Sequence, residues 1–120
     1  TRDVVRVYEK KYDTVRLYRQ GGTRGRGRNV GIAKARGEAV AFIDGDAIAN
    51  PFWLKEIREG LREYDVVAGR TIQIGYRPFE ELERVELIVG GTDVTHPSSN
   101  LAYRKRVLLE IGGFDEWFVT

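Results

Sequence analysis

The chain contains no cysteine among its 120 residues. That excludes a disulfide framework, a thiolate zinc site and a cysteine nucleophile, and it leaves the redox compartment unread. Methionine is also absent, including from position 1, which predicts that Thr1 is an internal residue of something longer. Histidine occurs once, at His96, and proline three times. No apolar run approaches the roughly 18 residues of a membrane-spanning helix, and nothing resembles a signal peptide. What is present is a globular composition, 42% apolar and 32% charged, in a length that suits one domain around one core.

The net charge of +2 conceals an asymmetry. Residues 1–37 carry eleven Lys or Arg against three acids (Asp3, Glu9, Asp13), and the remainder carries nine bases against fifteen acids. One part of the molecule is built to meet an anion, be it nucleic acid, phosphate, a membrane or the chain's own acidic part.

Hydrophobic spacing predicts a helix over 2–12 and a short strand over 14–18. The segment Gln20 to Arg28, with four glycines and no apolar side chain, reads as a loop in which a helix begins, and the alanine-rich stretch 29–36 continues that helix up to Gly37. Ala39 to Ile43 is an unbroken apolar strand, which predicts burial on both faces. Asn50-Pro51 is a helix start for a helix running to about Glu63. Residues 65–74 read as a strand, with Gly69 a bulge or a point of close backbone approach. A helix over 78–89, a strand over 100–103, a helical turn or two over 105–111 and a loop at Gly112-Gly113-Phe114-Asp115-Glu116 complete the pattern. The alternation predicts an α/β layered fold with a mostly parallel sheet, and such folds bind ligands beyond the carboxyl ends of their strands.

Two segments at strand ends carry the chemistry. Asp44-Gly45-Asp46 can turn two carboxylates toward one point, where a hard divalent cation would relieve their repulsion; the same sequence also suits a solvated turn. Arg24, Arg26 and Arg28 stand at a helix start, where the backbone dipole is already positive. With the neighbouring glycines they form a phosphate cradle, a solvated loop, or an Arg-Gly segment for nucleic acid. The glycines fit neither the Walker A loop nor the dinucleotide fingerprint. His96 reads as a surface-loop histidine, Ser98-Ser99-Asn100 as turn and capping residues, and Trp53 and Trp117 as core or interface aromatics. Asp115 and Glu116 suit a helix start or a cleft wall.

In order, these pieces resemble the family 2 glycosyltransferases. Arg28-Asn29-Val-Gly is similar to the family's Arg-Asn-x-Gly helix, Ala35-Arg-Gly-Glu38 to its Ala-x-Gly-Glu turn, and Ala39 to Asp46 to its strand ending in the DXD motif. About fifty residues on, Ser99-Asn100-Leu-Ala-Tyr-Arg and Ile111-Gly-Gly-Phe-Asp-Glu116 are similar to its acceptor-side strand and Gly-Gly-Phe-Asp-Glu loop. The resemblance implies a GT-A (nucleotide-diphospho-sugar transferase, Rossmann-like) fold and sugar transfer from a nucleotide-sugar donor to an acceptor hydroxyl with inversion. It implies that Asp46 binds Mn²⁺ or Mg²⁺ bridging the donor diphosphate. Asp44 holds the ribose or the same metal, Gly45 completes the donor motif, and Arg28 contacts the nucleotide or its diphosphate. Ser99 and Asn100 would line the acceptor side, and Asp115 and Glu116 would flank the cleft as catalytic carboxylates.

Family members begin with strands that grip the base and carry a further catalytic carboxylate downstream. The expectation is therefore a single partial catalytic domain over 1–120, truncated at both ends, with the base beyond Thr120 and the isolated chain inactive. Implied partners are the donor and a sugar, lipid-linked or polysaccharide acceptor, with no nucleic acid, and a homodimer through an exposed sheet edge. The expected location is the cytoplasm, with membrane association in the full-length protein. The competing classes are a non-enzymatic anion- or RNA-binding module using loop 21–28 and a structural domain with no ligand.

Overall fold

The structure, a computed structural model, describes residues 2–71, 88–93 and 100–117. They form two compact units, one of Thr1–Arg36 with Gly112–Thr120 and one of Gly37–Ile111.

In the first unit, α1 (Arg2–Lys11) carries Asp3 in its first turn and Lys10 and Lys11 in its last, the charge order that complements a helix dipole. Tyr8 and Tyr12 stack at its end with ring centroids 6.1 Å apart. The strand expected over 14–18 is absent. An alternating pattern becomes a strand only beside a neighbour that offers a ladder, and no described segment does so. The Leu17 N–H is instead satisfied by Glu9 Oε1 at 3.0 Å.

Helix α2 runs over Arg24–Lys34, so it begins inside the Gly/Arg segment, as expected. Thr23 is its N-cap, and the Thr23 hydroxyl accepts the Arg26 N–H. Gly25 and Ile32 are buried. Glycine costs a helix about 1 kcal/mol relative to alanine, so packing rather than propensity extends this helix to Arg24.

The second unit holds a three-stranded sheet of β1 (Ala39–Ile43), β2 (Val66–Ala68) and β5 (Asn100–Arg104) in the order β1-β5-β2. Helix α3 (Trp53–Glu63) connects β1 to β2, and α4 (Lys105–Glu110) follows β5. Both β1 and β2 pair antiparallel to β5, so they run parallel to one another without touching. The mostly parallel sheet is thus corrected: the β-α-β alternation is real, but a strand from far along the chain has entered between its two strands. The expectation that β1 is buried on both faces also fails. It is an edge strand among the described residues, with Val40 buried, Phe42 half-buried and Ala39, Ala41 and Ile43 exposed.

The core of this unit gathers Val40, Leu61, Ala102 and Leu108, the last two almost completely inaccessible. Ala102 stands between Ala41 and Val67 in register. At the edge of the sheet where β5 ends, the Arg104 guanidinium donates to the Leu61 and Arg62 carbonyls, which terminates α3. Asp65 neutralises that end, 3.1 Å from Arg104 Nε and 2.5 Å from Arg106 Nη2.

Asn50-Pro51, expected to be the N-cap and first helical residue of α3, instead forms a turn just before it, and the N-cap is Phe52. The Asn50 side chain accepts the Phe52 N–H at 2.8 Å and its carbonyl the Trp53 N–H at 2.9 Å, and the regular helix opens at Trp53. Ile88–Val89, the end of the helix expected over 78–89, is a strand (β3) paired with β4 (Thr92–Asp93). The cause is Gly90-Gly91, both at positive φ, a two-residue turn that joins antiparallel strands. The rest of that expected helix, residues 72–74 of the strand expected over 65–74, and His96, Ser98 and Ser99 lie outside the described residues. No helix among the described residues is long and apolar enough to cross a membrane.

Candidate active site

The sequence motifs fall into two clusters, one in each unit. In the first unit, the Gly112–Trp117 loop lies along the opening turns of α2. Asn29 holds the backbone of Phe114 from both sides: Oδ1 accepts its N–H at 2.8 Å and Nδ2 donates to its carbonyl at 2.9 Å. The same amide donates to Glu116 Oε1 at 3.0 Å. Thr23 Oγ1 donates to the Glu116 carbonyl at 2.7 Å, so one hydroxyl both caps the helix and holds the loop. Asp115 Oδ1 accepts the Trp117 N–H at 2.8 Å, and the Arg28 guanidinium lies 5.2 Å from the centre of the Phe114 ring.

The structure therefore brings Arg28 together with the 114–116 loop. Asp115 and Glu116 are both exposed. The sequence marked Asn29 only as part of the Arg-Asn-x-Gly motif and gave Thr23 no part; both orient the loop without presenting chemistry of their own. Asn29 follows directly on Arg28, but only the folded chain shows an amide matched to both polar groups of one distant peptide unit. Asn29→Ala is expected to lower the stability of the folded full-length protein by about 2 kcal/mol, the cost of leaving part-buried polar groups unpaired. Denaturant unfolding checks this, and an unchanged midpoint would mean that other contacts hold the loop.

The basic character of residues 1–37 is expressed partly away from Arg28. An open groove of about 430 Å³ in the first unit is lined by Arg16, Lys34 and Arg36 together with Tyr18.

In the second unit, Ile43 ends β1 and the chain turns through Asp44, Gly45 and Asp46, closed by a 3.1 Å bond from the Ala47 N–H to the Asp44 carbonyl. Every residue from Asp44 to Phe52 is exposed. Ile43 is paired with Asn100, the first residue of β5, and the Gly69 N–H just past β2 donates to the Asn100 carbonyl at 2.9 Å. The carboxyl ends of β1 and β2 and the amino end of β5 therefore share one edge of the sheet. The Asn100 amide is engaged there with the protein: Oδ1 accepts the Trp53 indole N–H at 2.8 Å, and Nδ2 donates to the Arg70 carbonyl at 3.2 Å. Trp53 is half-buried at this edge.

As a cation site the acidic turn offers two exposed carboxylates. No cluster of three or more His, Asp or Glu able to hold a metal occurs among the described residues. Two carboxylates are too few for a closed protein cage. They fit an ion such as Mg²⁺ or Mn²⁺, which takes one or two carboxylates and completes its shell with water and substrate phosphate oxygens.

Residues 1–112 match glycosyl transferase family 2. The chain is also 31% identical, over a 132-residue alignment, to an uncharacterized glycosyltransferase from Nostoc sp. (strain PCC 7120 / SAG 25.82 / UTEX 2576). That alignment covers 96% of the chain and 41% of the relative, so the chain spans less than half of the relative's length. No solved structure matches the chain significantly. A β1 strand that ends in Asp-Gly-Asp, an Arg-Asn pair on α2 and a Gly-Gly-Phe-Asp-Glu loop held against that helix thus occur in a chain that belongs to glycosyl transferase family 2.

Proposed function

We propose that the protein containing this chain transfers a sugar from a nucleotide-diphosphate sugar to an acceptor hydroxyl, with inversion, and that the chain supplies part of its donor-binding apparatus. The observation that carries the reading is the Asp44-Gly45-Asp46 turn, exposed at the carboxyl end of β1 in a chain of this family. Asp46 and Asp44 are the residues that would hold a divalent cation, and such a cation neutralises charge on a departing diphosphate.

Arg28, on the opening turns of α2, is assigned to the nucleotide or its diphosphate, because a cation at a helix start is favoured when an anion sits there. Asp115 and Glu116 are the carboxylates that this chain offers to the acceptor side. The acceptor oxygen forms its bond to the anomeric carbon from the face opposite the diphosphate while the bond to the phosphate oxygen breaks. The acceptor proton passes to a carboxylate of the full-length protein, and the electron pair leaves on the diphosphate.

The test is nucleoside diphosphate release by the full-length protein from a panel of nucleotide sugars, with simple sugars and lipid-linked acceptors, in Mn²⁺ or Mg²⁺ and in chelator. Release from one donor class, stopped by chelation, with the product anomer opposite to the donor's by NMR, is expected. Release unaffected by chelation would remove the metal assignment, and a retained anomer would remove inversion.

A further inference from the structure

We propose that Asn100 is a positioning residue that closes the Asp44–Phe52 loop at both ends and ties it to the exit of β2. The proposal rests on the reading of that loop as donor-binding.

Ile43, immediately before the loop, is the register partner of Asn100 in the sheet. Trp53, immediately after it, donates its indole N–H to Asn100 Oδ1 at 2.8 Å. The nine intervening residues, Asp44 and Asp46 among them, are all exposed, so within the described residues the loop takes its position from its two ends. Both ends meet at one residue. An exposed nine-residue segment would otherwise sample many conformations, and holding its ends together removes much of that freedom before any ligand arrives.

The other end of the amide fixes a third segment. Nδ2 donates to the Arg70 carbonyl at 3.2 Å and reaches Thr71 Oγ1 at 3.5 Å. Gly69 lies against this amide so closely that a Cβ there would stand 2.5 Å from both Nδ2 and Oδ1. An indole N–H can only donate and a carbonyl can only accept, so the two partners together dictate which way the amide points. Both Nδ2 hydrogens face protein acceptors and one Oδ1 lone pair faces Trp53. The amide therefore has little capacity left to grip a sugar, and its part is to hold the loop, α3 and the β2 exit in one arrangement.

Two variants cut different arms. Trp53→Phe keeps a ring in the half-buried site and removes the donor. Asn100→Asp still accepts from Trp53 but loses both donors and sets a negative charge against the Arg70 carbonyl. In the full-length protein, hydrogen exchange over 44–52, where the Ala47 and Phe52 N–H groups are bonded within the loop, is expected to rise about tenfold in each variant, on the scale of one lost hydrogen bond. Exchange over 105–111 should stay unchanged. Donor KM should rise more than kcat falls, and more in Asn100→Asp than in Trp53→Phe.

Unchanged exchange over 44–52 in both variants would overturn the proposal, and so would a uniform rise across 37–111, which is plain destabilisation. A selective rise over 44–52 upholds the clamp even if Asp46→Ala leaves nucleotide binding intact. In that event the donor-site reading is the one that falls.

Discussion

Asp46→Ala is expected to abolish stabilisation of the full-length protein by a nucleoside diphosphate with Mn²⁺, while leaving its stability without ligand unchanged. At a ligand concentration a hundredfold above Kd, the wild-type gain is about 2.7 kcal/mol, and the variant should show none of it. The unliganded protein should tolerate the change because Asp46 is exposed and makes no hydrogen bond or ion pair among the described residues. Exposed substitutions of that kind usually stay within about 0.5 kcal/mol. The turn itself is closed by backbone, from the Ala47 N–H to the Asp44 carbonyl, so it survives loss of the side chain. Asp46→Asn tests charge against shape: an amide retains the outline but not the anionic oxygens that a hard cation needs. Sugar transfer by either variant should fall on the order of a thousandfold, the scale of losing a group that stabilises developing charge. Calorimetric or fluorescence-monitored melting with and without Mn²⁺ and nucleotide reads this out, and a full ligand shift in Asp46→Ala would end the assignment.

Gly25→Ala is expected to destabilise the first unit, although alanine is the better helix former. The gain in propensity is about 1 kcal/mol. Against it stands a collision: the added Cβ would overlap the Asp115 carbonyl oxygen and come within 3.1 Å of the Asp115 carbonyl carbon. These are backbone atoms, so no rotamer change relieves the overlap, and either α2 or the 112–117 loop must shift. Overpacking of this kind costs about 1–3 kcal/mol, so the clash outweighs the propensity gain or at least cancels it. Gly27→Ala and Gly31→Ala supply the control, because a Cβ at either meets nothing within 4 Å. Each should stabilise the same helix by about 0.5–1 kcal/mol. Chemical denaturation of the three variants separates the effects, and Gly25→Ala behaving like Gly27→Ala would show that the loop does not rest on the helix.

Legibility in the sequence followed how local the cause was. The apolar run 39–43 and the spacing of Trp53, Leu54, Ile57 and Leu61 identified β1 and α3 within a residue or two, because a strand-length apolar run and a helical spacing of apolar residues are local signals, although the run overstated how deeply β1 is buried. That α2 begins inside the Gly/Arg segment was legible, but its first residue was not: four glycines in nine residues argue for a loop, and the contact that holds the helix start lies in a segment some ninety residues away in the chain, counted from the Thr23 bond to Glu116. Strand partners left no trace at all. Nothing in Ala39 to Ile43 or Val66 to Ala68 reveals that Asn100 to Arg104 runs between them. Likewise the acidic turn was conspicuous as a motif, and Asn29 and Asn100 stood out only within longer motifs, Asn29 beside Arg28 and Asn100 on the acceptor side; that their amides organise the two clusters shows only in the folded chain.

The insertion of β5 between β1 and β2 also orders events during folding. Among the described residues β1 and β2 form no ladder with each other, and the strand that pairs with both is encoded some thirty to sixty residues later. Such non-local pairings carry a large loop-closure cost and form slowly. On a chain emerging from the ribosome, β1, the acidic turn and α3 are therefore synthesised well before the strand that seats them. Until residue 104 is available the segment bearing both carboxylates lacks the β5 ladder that adjoins it, and the edges of β1 and β2 that β5 will cover are open to wrong partners throughout that interval.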